Sequence, residues 1–280
     1  MKPSSFEYHA PRTIEDAVAL LARFAPEEGR VIAGGQTLVP AMAMRLARPG
    51  HLIDINRVAG LDALTVADGA LSIGACVRHA ALGNAAAPGP LGRLLGLVQR
   101  HIAHPPIRAR GTFCGSLANA DAASEWCLLA VALGARITAR STAGVRVIAA
   151  DDFFLGYMTT ALEPEEMIAF ATLPLLPDGT RVGFYEFARR AGDFAQVMAL
   201  ATYAVRDGAI VAPCVALGSL ESRPRRSAAA EAMLAGAAPS AASFTAAAQA
   251  GAADVHLAED DAYLRGLAET AILRALTGAR

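Results

Sequence analysis

Residues 13–24, TIEDAVALLARF, repeat apolar positions at helical spacing and predict an amphipathic helix. Thr13 precedes it as N-cap, and Asp16 three residues on makes a short variant of the capping box. Val31-Ile32-Ala33 is a short apolar strand that stops at Gly34-Gly35. A second helix is predicted over 38–47, ended by Arg48-Pro49-Gly50, and a strand over 51–55. The order is strand, glycine turn, helix, strand. Two strands around Asp68-Gly69 are predicted in 64–77, and a helix in 91–103. Residues 104–116 read as a loop with two prolines and two glycines, 117–134 as one helix, and 135–148 as a hairpin turning at Ala143-Gly144. The stretch 174–183, PLLPDGTRVG, is the candidate domain boundary. A hairpin follows in 197–217 around Arg206-Asp207-Gly208. The alanine-rich tail 227–278 reads as helix rather than linker, because leucine and phenylalanine recur in it.

Composition narrows the function. The chain has 280 residues, 54% hydrophobic and 18% charged, which is enough apolar matter for a sizeable core. Net charge is −1, so no basic field exists to hold nucleic acid or an anionic membrane. Lys2 is the single lysine among 25 basic residues. Cys76, Cys114, Cys127 and Cys214 contain no CxxC, which argues against an iron–sulfur cluster or structural zinc on this chain. A disulfide framework is not expected from so few cysteines in so long a chain. The N-terminus lacks the apolar core of a signal peptide, and no run is long and apolar enough to span a membrane; cytoplasm is the expected location.

Two glycine-containing segments carry the chemistry. In Ala33-Gly34-Gly35-Gln36-Thr37, adjacent glycines permit positive φ and close backbone approach, and successive amides can form an anion-binding nest. No lysine follows, so this is not a Walker loop; a pyrophosphate held by amides and an ordinary strand–helix turn remain the two readings. In Thr112-Phe113-Cys114-Gly115-Ser116, small and hydroxyl residues again precede a helix, and Asn119, Asp121 and Glu125 follow within three turns. Carboxylates repel phosphate but accept hydrogen bonds from sugar or polyol hydroxyls; helix caps are the alternative. Two amide-rich loops with an acidic cluster favour FAD over NAD, and neither loop is the GxGxxG of a Rossmann site.

The segments AGGQTLVPAMAMRLARPGHLIDINRV (33–58), IRARGTFCGSLANADAASEWCLLAVALGA (107–135), RRAGDFAQVMALATY (189–203) and DGAIVAPCVALGSL (207–220) resemble the FAD-binding medium subunit of molybdenum hydroxylases, the carbon monoxide dehydrogenase and xanthine dehydrogenase group. The resemblance implies an α+β fold. A two-lobed FAD-binding domain of the PCMH type would occupy 1–175, with lobes of about 1–57 and 58–175. A smaller α+β domain at 176–280 would pair an antiparallel sheet with a helical bundle. By the same resemblance, Ala33, Gly34, Gly35, Gln36 and Thr37 wrap the FAD pyrophosphate, and Thr112, Phe113, Cys114, Gly115 and Ser116 complete the cradle. Asp121 and Glu125, with Asn119 beside them, match acidic positions near the ribitol or ribose. Ile102 packs on the cofactor, Ile168 and Phe194 lie near the isoalloxazine, and Tyr185 stands where relatives often have a lysine that contacts FAD. Cys114 stands where many relatives have glycine; it is strained if that position needs positive φ and harmless if it needs only a small residue.

The implied role is electron transfer within an oxidoreductase. A large molybdenum–pterin subunit hydroxylates substrate, and a small subunit passes electrons through two [2Fe–2S] clusters to this FAD. NAD, oxygen or a quinone then accepts them, in a dimer of heterotrimers. Two other readings stand beside it: a stand-alone flavin oxidoreductase with Tyr185 or His104 as acid–base group, and a scaffold that has lost FAD. His101 and His104 have no visible third metal ligand, and Ser116 lacks a GxSxG elbow. Arg223-Pro224-Arg225-Arg226 is read as a solvated turn or subunit contact. Trp126, Cys127, Met42 and Met44 are read as core.

Overall fold

A computed structural model describes residues 2–257 and 261–280. The chain opens with β1 (Glu7–His9), α1 (Ile14–Phe24), β2 (Arg30–Ile32), α2 (Leu38–Ala43) and β3 (His51–Asp54). The strands form a parallel sheet in the order β1-β3-β2. Thr13 caps α1 through its hydroxyl, which accepts from the Asp16 amide at 3.1 Å, and Ala17, Val18 and Leu21 form the buried stripe. The helix after the first glycine loop ends at Ala43 rather than 47, because Arg45 turns left-handed at φ 60°.

Next come β4 (Leu64–Ala67), β5 (Ala70–Gly74), α3 (Gly89–Gln99), α4 (Pro105–Arg108), α5 (Phe113–Asn119) and α6 (Glu125–Ala132). They are followed by β6 (Arg136–Ser141), β7 (Gly144–Ala149), α7 (Ala150–Phe153), β8 (Phe154–Gly156), β9 (Thr159–Thr160) and β10 (Met167–Pro174). Five of these strands form an antiparallel sheet, β4-β5-β10-β6-β7, while β8 and β9 pair alone. The expected single helix over 117–134 is two helices. Ala120 adopts φ 49°, and the Asp121 carboxylate accepts from the Ala123 amide at 2.9 Å, which closes a turn in place of a helical bond. The predicted loop 104–116 also holds α4 and the start of α5.

The last part is β11 (Arg181–Phe187), β12 (Val197–Arg206), β13 (Ala209–Gly218), β14 (Arg225–Arg226), α8 (Ala228–Leu234), α9 (Ala241–Ala253) and α10 (Ala262–Thr277). In its sheet, β11-β12-β13-β14, the central strand β12 is buried on both faces over Val197–Tyr203. Along β12, Val197, Ala199, Ala201 and Tyr203 pack with the three helices, whereas Met198 and Leu200 join the core of the preceding sheets. Period-two alternation therefore serves two cores at once. The arginine cluster ties elements of the same chain. Arg223 donates to the carbonyls of Asp151 and Phe154, Arg225 pairs with Glu221 and Asp254, and Arg226 pairs with Glu231. Among the described residues, no helix is long and apolar enough to cross a membrane.

Candidate functional site: two glycine loops brought together

The two glycine loops, some 75 residues apart in sequence, meet in space. A Cβ built on Gly34 would lie 2.4 Å from the Arg110 carbonyl oxygen and 2.7 Å from Gly111 Cα. Glycine is therefore required at 34 by the second loop, and at 35 by a backbone φ of 70°. The junction is tied by two residues the sequence reading missed. Asn56 Nδ2 donates to the Ala33 carbonyl at 2.7 Å. Arg78 donates through one nitrogen to Asn56 Oδ1 at 2.5 Å and through another to the Arg110 carbonyl at 2.6 Å. A cation bonded to an amide oxygen and a carbonyl links the parallel sheet to the second loop with charge-assisted bonds. No local motif marks Asn56 or Arg78, which stand in the turns after β3 and β5.

The first loop keeps its donors free. Among the described residues, the amides of Gly34, Gly35, Gln36 and Thr37 donate to no carbonyl outside the helix and strand ladders. Thr37 is exposed and makes no capping bond to α2, and the Gln36 side chain turns back to the Gly34 carbonyl at 3.2 Å. The second loop spends three of its amides within the fold. Thr112 caps α5 by accepting from the Gly115 amide at 3.1 Å, the Ser116 amide donates to the Thr112 carbonyl, and the Phe113 amide donates to Val77. Phe113 is fully buried against Trp126, whose indole donates to His79 Nδ1 at 2.9 Å. Burial and the neighbouring Arg78 hold His79 down at about 4, so it is a neutral acceptor. Cys114 lies inside α5, away from the left-handed region, and its thiol is pushed well above its usual range by burial. The residue is unstrained.

Asn119 ends α5, Asp121 makes the turn after it, and Glu125 opens α6. Burial, and then the Asp121 carboxylate, push Glu125 up to about 7. Across from it stands Glu186 on β11. Its side chain is 5% exposed, Oε2 is buried without a hydrogen-bond partner, and His101 Nδ1 lies 3.8 Å away. Burial, and then the Glu125 carboxylate, push Glu186 up to about 8. Glu186 is thus pushed toward its protonated form, and its Oε2 has no hydrogen-bond partner in the fold.

Strand alternation places Tyr185 on the opposite face of β11. It packs with the C-terminal core, and its hydroxyl accepts from Arg274 at 2.7 Å. The structure does not bring Tyr185 to the other candidates; Glu186 occupies the inward position beside it. Phe194, in the β11–β12 loop, is 76% exposed. Ile102 is buried just before α4, and its carbonyl accepts from Arg108. Ile168 is buried in β10, where the ladder shifts register before Phe170. Free amides, an orphaned buried carboxyl and an exposed phenyl ring fit a dinucleotide with a flat, polar ring system.

The glycine loops thus meet where the three-stranded parallel sheet adjoins the five-stranded antiparallel one, beside the four-stranded sheet that carries Glu186. Residues 4–176 match the FAD-binding domain in molybdopterin dehydrogenase, and 183–279 match the CO dehydrogenase flavoprotein C-terminal domain. The chain is 38% identical to the nicotine 6-hydroxylase medium subunit of Paenarthrobacter nicotinovorans, covering 100% of this chain and 99% of that one. It is 35% identical to the carbon monoxide dehydrogenase medium chain of Afipia carboxidovorans over 80% of this chain and 77% of that one. Among solved structures, it is similar to carbon monoxide dehydrogenase from Hydrogenophaga pseudoflava, with a TM-score of 0.92 and 34% identity over 99% of this chain and 98% of that chain. It is also similar to quinoline 2-oxidoreductase from Pseudomonas putida 86, with a TM-score of 0.91 and 33% identity over the same shares. The chain belongs to the FAD-binding medium subunits of the molybdenum hydroxylase family.

Proposed function

We propose that this chain binds FAD at the junction of the two glycine loops and relays electrons from an iron–sulfur subunit to an external acceptor. The observation that carries the reading is the pair of loops locked by Arg78 and Asn56, one of them with its amides unspent. FAD, when bound, supplies the redox chemistry; the protein supplies position and electrostatics. The amides of Gly34 to Thr37 would hold the pyrophosphate, whose charge suits unpaired N–H groups. Asp121 and Asn119 would accept from hydroxyls of the ribitol or ribose. Glu186, protonated at neutral pH, would donate to a flavin ring heteroatom, while Phe194 would cover the ring face. Ile102 and Ile168 would back the site with apolar surface. With domains of 1–175 and 176–280, Glu186 and Phe194 would belong to the second, and the cofactor would lie between the two.

The partners would be a large molybdopterin subunit and a small subunit with two [2Fe–2S] clusters, assembled as a dimer of heterotrimers in the cytoplasm. NAD or a quinone would take the electrons. The relatives' names, nicotine and quinoline oxidoreductases among them, support an N-heterocyclic aromatic substrate for the large subunit. The stand-alone reading finds no support in Tyr185, which is engaged by Arg274. The test is purification with and without the neighbouring gene products. FAD released on denaturation, with iron and molybdenum in the co-purified complex, is the expected result. A colourless chain that does not take up FAD would overturn the reading.

A further inference from the structure

A second set of ligand-type side chains lies at the other end of β3 from Asn56, away from the glycine junction. Glu7 and His9 are two residues apart on β1 and so share a face, and the register sets Glu7 opposite His51. His9 Nε2 and His51 Nδ1 face one another at 3.0 Å, and Glu7 Oε2 stands 3.7 Å from the same His51 nitrogen. The three ligand atoms lie within 4.8 Å of one another. On the far side of the ring, His51 Nε2 is 3.2 Å from the Glu27 carboxylate. Glu27 can only accept, so Nε2 carries the proton, and in the neutral ring the Nδ1 lone pair points at His9 and Glu7. His51 is 7% exposed and lies flat on the Phe24 ring, with centroids 3.8 Å apart and planes 11° apart, and His9 stacks on the same ring at 4.7 Å.

A hydrogen bond from His9 would satisfy that lone pair, but it leaves the Glu7 carboxylate facing a second acceptor. A cation shared by all three resolves the conflict. Bonds of about 2.0–2.1 Å in tetrahedral geometry set ligand atoms about 3.3–3.4 Å apart; the two distances to His51 Nδ1, 3.0 and 3.7 Å, bracket that spacing, and the exposed Glu7 carboxylate closes the remaining gap, which is within 4.8 Å. Two imidazoles and one carboxylate, without thiolate, select a borderline first-row dication. A carboxylate on the outer nitrogen of a ligating histidine is the support such sites use.

The geometry points to a site for zinc(II) or cobalt(II) formed by Glu7, His9 and His51, with Glu27 orienting the His51 ring and a fourth position open to water. The ion staples the three-residue edge strand β1 to β3. The assignment does not rest on flavin binding, because the site is at the opposite end of the strand. Untagged full-length protein, stripped with a chelator, is titrated with cobalt(II) for ligand-field absorption and dialysed against micromolar zinc(II) for metal content. One equivalent per chain and a higher melting temperature with zinc(II) are expected. His9→Gln at a half-buried position and Glu7→Gln at an exposed one should each weaken binding by about tenfold or more, with circular dichroism and flavin content unchanged. Failure to bind at micromolar zinc(II), or binding that neither substitution weakens, overturns the site.

Discussion

The two glycine loops look alike as strings and differ as structures. Each places glycine and a threonine before a helix. Thr37 leaves its hydroxyl and the neighbouring amides free, whereas Thr112 commits its hydroxyl to the Gly115 amide and its carbonyl to Ser116. The first loop leaves more of its amides unspent; the second also works as a buttress, anchored by buried Phe113 against Trp126 and tied to the first through Arg78. Glycine at 34 serves the contact between loops as much as any ligand. A ligand loop of this kind depends on a second loop that holds it in shape.

The largest expected effect separates the two roles. Gly34→Val drives a side chain into the Arg110 carbonyl, so both FAD content and melting temperature should collapse; native values for both would show that the loops do not touch. Arg78→Ala removes two charge-assisted bonds and should cost about 1.5–3 kcal/mol in urea unfolding, with FAD affinity falling because the loops part. Cys114→Gly tests the buttress. Cysteine is already a poor helix former, so glycine inside α5 should cost about 0.5 kcal/mol in helix propensity, and FAD content should hold, since the thiol is spent on the Ile73 carbonyl.

Glu186 gives a pH signature. Its carboxyl rises from 4.5 to about 8 on folding, so the unfolded chain releases its proton first. Stability from this group is complete below about pH 4.5 and is lost as pH rises through about 8. FAD-free protein should therefore melt progressively lower across that window, and Glu186→Gln should flatten the slope. The smallest effects distinguish the faces of the C-terminal sheet and its loop. Phe194→Ala should leave stability within about 0.5 kcal/mol while weakening FAD binding. Tyr185→Phe should cost less than about 1 kcal/mol and leave FAD binding unchanged, as equilibrium dialysis against FAD would show.

Much of the architecture was legible. Thr13 and Asp16 marked the start of α1, and the Asp68-Gly69 and Asp207-Gly208 turns, all four residues at positive φ, marked two hairpins. These signals are local, set by caps and by φ preference. The break at Ala120 escaped notice because alanine favours helix and the turn is made by a side chain, Asp121. β11 was also missed, since its alternation serves two cores and shows no single apolar face. The loops' composition pointed to a dinucleotide, and Glu125 was in view from the start.

Sequence by itself thus determined the glycine loops, their order and the family they belong to, because turn chemistry and close backbone approach depend on residue identity at a few adjacent positions. Only the tertiary structure decided which loop keeps its amides free, that Asn56 and Arg78 lock the two together, and that Glu186 rather than Tyr185 faces inward. It alone set Glu7, His9 and His51 around one point. These are contacts between residues distant in the chain, fixed by strand register and burial, and no local pattern encodes them.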